Sequence, residues 1–75
     1  MIHVSDILEY HQARPFEPFD IRVSDGRVYT IDHPEFLAVS RNGNALYFST
    51  DDGRLITIAV GQITTLEKRN APRAA

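Results

Sequence analysis

Three glycine turns do most to fix what this chain can become. Asp25-Gly26, Arg41-Asn42-Gly43-Asn44 and Asp51-Asp52-Gly53 each stand between short apolar runs. Asp-Gly suits a two-residue primed turn, and Asn, Asp and Gly tolerate the positive φ that tight turns need. The run before the first turn alternates: Phe19, Ile21 and Val23 share one face, and Asp20, Arg22 and Ser24 the other. That period of two is the mark of a half-buried strand. Further strands are expected over Arg27–Asp32, Phe36–Ser40, Ala45–Thr50 and Arg54–Val60. His33-Pro34-Glu35 breaks the ladder after the second strand, because proline has no N–H to donate. Gly61-Gln62 interrupts the last run, and Ile63 to Glu67 resumes it after a bend or a 3₁₀ turn. Strands joined this closely pair with their chain neighbours, as antiparallel hairpins in a meander.

A helix is expected ahead of the strands, from Ser5 to Ala13. Val4, Ile7, Leu8 and His11 form one stripe at helical spacing, with Tyr10 on its flank. Ser5 or Asp6 can cap it; with Asp6 as the cap, Glu9 falls where a capping box places its acid. Pro15 drives Arg14 out of helical geometry and ends the element. So short a helix does not persist alone in water, so its apolar stripe must dock. The connector RPFEPF, residues 14–19, is held extended by its two prolines, and Phe16 and Phe19 are expected to pack. As a PxxP-type ligand for an aromatic groove its spacing fits only loosely.

The reading is a mainly β domain: an N-terminal helix, then a five-stranded, strongly bent antiparallel sheet forming a small open barrel of Sm-like or SH3-like build. Five short strands are too few for a two-sheet sandwich with a useful interior. Residues 1–67 make a single domain, and residues 68–75 a basic, flexible tail.

Size raises the question of what staples such a fold. The core of a 75-residue chain supplies only ~3–5 kcal/mol of net stability. There is no cysteine, and His3, His11 and His33 show no paired ligand spacing, so disulfides and thiolate metal sites are excluded. Self-association is the staple that remains. Charge divides unevenly: Lys68, Arg69 and Arg73 lie in the last eight residues with no acid, while residues 1–67 set five arginines against all ten acids. An acidic body repels phosphate backbones unless its arginines gather on one face. No apolar run approaches the ~18 residues that span a bilayer. The N-terminus, MIHVSDILEYHQ, lacks the basic start and long apolar centre of a signal peptide. A cytoplasmic protein with no membrane role is expected.

The order of elements resembles the Sm-like fold, and looks like its bacterial Hfq branch. The parts that carry the likeness are the helix ending at Arg14, the hairpin FDIRVSDGRVYTI, the segment HPEFLAV and the closing IAVGQITTLE, together spanning residues 5 to 67. The chain is also similar to short bacterial proteins with an RPFxPF segment, then DGR, then HPxF, a likeness that brings no function with it. The Sm-like resemblance implies a homo-oligomeric ring, five to seven copies being favoured, in which the fourth strand of one subunit pairs with the fifth of the next. The joint would then use the strands at 45–50 and 54–60, with Ala45, Tyr47, Ser49, Ile56, Ile58 and Val60 at the subunit interface. Ring closure would hide two otherwise open edges. The resemblance also implies single-stranded RNA as ligand. Phe36 stands where the family places an aromatic near the nucleotide, and a ring would repeat Arg22, Arg27, Arg41 and Arg54. Aligning the family's closing Ile with Ile63 puts Ala59, Val60 and Gly61 in place of the Tyr-Lys-His run of Hfq. None of these three can stack, pair with phosphate or read a base edge.

No catalytic constellation stands out. Asp51-Asp52 reads as turn chemistry. His33, between Asp32 and Pro34, has no serine or cysteine nucleophile motif beside it and reads as part of a capped turn. No phosphate-loop, dinucleotide-fingerprint or zinc-helix motif occurs, so neither an enzyme nor a bound cofactor is expected. The functional expectation is an oligomeric binding module with RNA or a short peptide as ligand. Its rivals are an SH3-like adaptor presenting Phe16, Phe19, Tyr29 or Tyr47 to a partner protein, and a small subunit completing a larger assembly.

Overall fold

The computed structural model describes residues 2–68. The basic tail, apart from Lys68, lies outside the described residues.

The helix α1 runs Val4–His11, with His3 at its N-cap. The Asp6 carboxylate accepts the backbone N–H of His3 at 2.9 Å, so Asp6 takes the third helical position, the role expected of Glu9. This carboxylate on a first-turn amide also faces the positive end of the helix dipole. The helix stops at His11, two residues earlier than expected, and the Gln12 N–H closes the last turn on the Leu8 carbonyl at 2.8 Å. The Arg14–Pro15 peptide bond is cis.

The strands are β1 (Phe19–Val23), β2 (Val28–Ile31), β3 (Leu37–Val39), β4 (Ala45–Ser49), β5 (Leu55–Ala59) and β6 (Ile63–Lys68). All three expected hairpins form, and the turn glycines Gly26, Gly43 and Gly53 have positive φ. The single bent sheet does not form. Six strands make two open three-stranded sheets, ordered β2-β1-β6 and β3-β4-β5. The five-stranded Sm-like or SH3-like barrel is thereby corrected. Two 3₁₀ turns separate the sheets. Pro34–Phe36 carries the chain from the first sheet to the second, and Val60–Gln62 carries it back. Pro34 cannot donate to a ladder, so β2 and β3 cannot run on as one strand. Beyond Gly61-Gln62 the chain does not extend β5; it leaves that sheet and pairs antiparallel with β1, on the opposite side from β2. A register shift at Arg22/Val23 marks the place where β6 joins.

The inner faces of the two sheets meet over one core. Phe19, Ile21 and Ile31 from the first sheet and Leu46 and Phe48 from the second are fully buried, together with Ile7 from the helix. Tyr10 and Phe16 pack their rings on Phe19, at centroid distances of 5.2 and 6.0 Å.

Two sheets stacked this way leave two seams. The helix lies across one of them. Its Tyr10 hydroxyl donates to the Leu66 carbonyl on β6 at 3.3 Å. At the other side, Val4 lies against Gly43 in the β3–β4 turn, and the His11 ring bonds the Pro34 carbonyl at 2.8 Å. The seam between β6 and β3 is therefore plugged.

Candidate functional site

The second seam, between β2 and β5, is open. It forms a cleft of about 450 Å³ lined by Val23, Tyr29, Ile56 and Ile58, with Asp25, Arg27 and Gln62 among its polar groups. Register explains the lining. Tyr29 is paired with Ile21 and so points inward, and Ile56 and Ile58 are paired with Phe48 and Leu46. The Tyr29 ring bridges the sheets to meet Phe48 edge-on at 5.2 Å. Arg27 sits at the rim, its guanidinium donating to the Tyr29 hydroxyl at 3.4 Å and pairing with Asp25 at 3.5 Å. Those two partners, the Tyr29 hydrogen bond first, raise the Arg27 pKa, so it stays a fixed cation. The Ser24 hydroxyl donates to the Gln62 amide oxygen at 2.8 Å and ties the β1–β2 turn to the 3₁₀ turn between β5 and β6.

The wall of this cleft is an unpaired strand edge. The Thr50 N–H bonds the Arg54 carbonyl, and the Val60 N–H bonds the Asn44 carbonyl, which fixes the alternation along β5. Ile56 and Ile58 exchange backbone bonds with β4, while the N–H and C=O groups of Leu55, Thr57 and Ala59 point away from it. The Ala59 carbonyl caps the following 3₁₀ turn; among the described residues nothing else bonds the other outward groups, and all three residues are exposed. Leu55 is 74% exposed. The strand LITIA carries no charge, no proline and no bulge, the devices that usually keep an edge from pairing with another chain.

The expected interface residues divide by this geometry. Ala45, Tyr47 and Ser49 lie on the outer face of β4, and Tyr47, 42% exposed, stands directly opposite Thr57. Ile56 and Ile58 point inward and line the cleft, and Val60 is buried in the core. The outward residues of β5 are Leu55, Thr57 and Ala59, one position out of step with that set. Phe36 is 39% exposed and packs edge-on against His33 at 5.1 Å. The four arginines do not gather on one element. Arg22 on β1 pairs with Glu67 at 3.9 Å, Arg27 pairs with Asp25, and Arg54 pairs with Asp52 at 3.2 Å. Arg41 lies in the β3–β4 turn beside Tyr47. Among the aromatics weighed for an adaptor, Phe19 is core, Phe16 and Tyr29 are half-buried, and Tyr47 faces outward.

Among the described residues no three His, Asp or Glu side chains gather as a metal site. No described helix is long and apolar enough to cross a membrane. Asp52 is occupied within its own turn, accepting from the Thr50 hydroxyl and pairing with Arg54.

By its architecture the chain is a small two-sheet β protein with one seam closed by a helix and one left open. It is similar in fold to a crystal structure solved as a Northeast Structural Genomics Consortium target. The TM-score is 0.57 at 18% identity, over 76% of this chain and 98% of that one. At that identity the likeness is of fold alone. No family model matches the sequence, and no curated protein matches it. Nothing in these comparisons supports membership of the Sm-like family.

Proposed function

We propose that this chain is a non-enzymatic protein-interaction module that pairs the open edge of β5 with an extended strand of another polypeptide. The observation that carries the reading is the unbonded outward backbone of Leu55 and Thr57, continued by the Ala59 N–H, beside an apolar cleft. Strand addition draws affinity from main-chain hydrogen bonds and specificity from pockets for alternate side chains. Both parts are in place here. The edge offers donors and acceptors in register, and the cleft offers Ile56, Ile58 and the Tyr29 ring to an inward-pointing apolar side chain. Nucleic acid is less well served, because three of the four candidate arginines are already ion-paired and all four lie on different elements.

The test is selection of linear peptides displayed on phage, followed by amide-shift mapping on the ¹⁵N-labelled protein. Bound peptides are expected to shift Leu55, Thr57 and Ala59 together with Tyr29 and Gln62. Failure of a monomeric sample to enrich any linear peptide would overturn the reading, and so would shifts confined to surfaces away from β5. Saturable binding of oligo-U or oligo-A at low salt, with shifts at the arginines, would move the function to RNA, since electrostatic binding is strongest there.

A further inference from the structure

The geometry points to a second copy of this chain as the strand that β5 receives, joined antiparallel about a twofold axis through Thr57. This inference rests on the strand-addition reading and names its partner. The free backbone groups of β5 belong to Leu55, Thr57 and Ala59, which are symmetric about Thr57. In an antiparallel joint centred there, Thr57 meets Thr57 of the other copy, and Leu55 meets its Ala59. The Thr57 pair then exchanges both backbone bonds, and each Ala59 N–H meets the Leu55 carbonyl of the other copy, without a change of register. A joint centred on Ile56 or Ile58 also sets outward groups against outward groups, but it leaves one of the three residues opposite a position beyond the other copy's strand.

The side chains agree with that register. On the outer face the long Leu55 lies opposite the short Ala59, at both ends of the joint. On the inner face Ile56 lies opposite Ile58, so the half-buried isoleucines that line the cleft gain apolar neighbours. The strand carries no charge, so the symmetry opposes no like charges within it. Arg54, the nearest flanking charge, falls opposite Val60. Two symmetric copies make an isologous joint that closes on itself. Only five residues per copy take part, which puts the interface at the small end of specific contacts.

Sedimentation equilibrium over about 5 to 500 µM reads the association, and a monomer–dimer equilibrium is expected. Position is read by single-cysteine cross-linking, which is clean because the chain has no cysteine of its own. In the Thr57→Cys variant the two cysteines face each other with Cα atoms ~5.5 Å apart, within disulfide reach. In Leu55→Cys the two are four residues apart along the joint, about 13 Å, and stay unlinked. Thr57 is exposed, so neither folding nor the β4 ladder depends on it. Covalent dimer from Thr57→Cys but not from Leu55→Cys supports the inference. The reverse pattern overturns it, as does equal linking of both. A monomer throughout, with a phage-selected peptide still shifting β5, overturns the second-copy partner and leaves the interaction module standing. A monomer that also selects no peptide overturns both.

Discussion

The Asp52 carboxylate shows how a fully exposed residue can still carry a pH signature. Its pKa lies below the ordinary 3.8, chiefly because the Thr50 hydroxyl donates to it, with Arg54 adding charge and hydrogen bonds. A depressed folded value means that this carboxylate favours the native state above the unfolded-state pKa. The contribution fades as pH falls through the carboxylate range. Asp52→Asn should therefore be slightly less stable than the parent at neutral pH, with a difference that shrinks toward pH 3. Urea midpoints measured at both ends of that range check the sign, and a difference that grows on acidification would contradict it. The turn chemistry was legible in the Asp-Asp-Gly spelling, since these residue types serve such turns wherever they occur. The Thr50 hydroxyl was not, because its role depends on a turn geometry that composition does not state.

At the level of elements, the hairpins could be read and the division between sheets could not. The alternation of Phe19, Ile21 and Val23 gave the inner face of β1, and each glycine turn fell where a hairpin bends. Pro34 and Gly61 were visible as interruptions, but whether an interruption bends a sheet or ends it depends on where the next strand finds a partner. The parity of β5 was lost for a similar reason. Leu55, Ile56, Ile58 and Ala59 are all apolar, so alternation is silent, and only pairing with Leu46 and Phe48 shows that the isoleucines turn inward. The docking of α1 has a local test at Gly43. This glycine has φ +76°, and a Cβ there would lie 3.3 Å from the Val4 Cγ1. Gly43→Ala should cost about 1–3 kcal/mol, through the left-handed backbone and the crowding of Val4 together. Combining it with Val4→Ala should recover the crowding part and leave the backbone part, so the two changes are expected to be non-additive in a double-mutant cycle.

Over the whole molecule, local and distant pairings divide between the two sheets. β3, β4 and β5 are consecutive and joined by short turns, whereas β1 is flanked by its neighbour β2 on one side and by β6 on the other. Truncation after Gln62 should remove β6, expose Ile21 and Phe19, and abolish cooperative unfolding. Circular dichroism during thermal melting would check this, and a sharp transition in the truncated chain would contradict it. The arrangement also bears on how the chain comes off the ribosome. Residues 37–59 can form their contacts as soon as they emerge, because every partner lies within one turn. The sheet around β1 has to wait for β6, whose pairing closes the long loop between Val23 and Ile63, and such closure is slow compared with hairpin formation. Until that moment Phe19 and Ile21 are open to solvent along one flank. The nascent chain is thus most vulnerable to aggregation just before β6 emerges, and chaperone contact would matter most there.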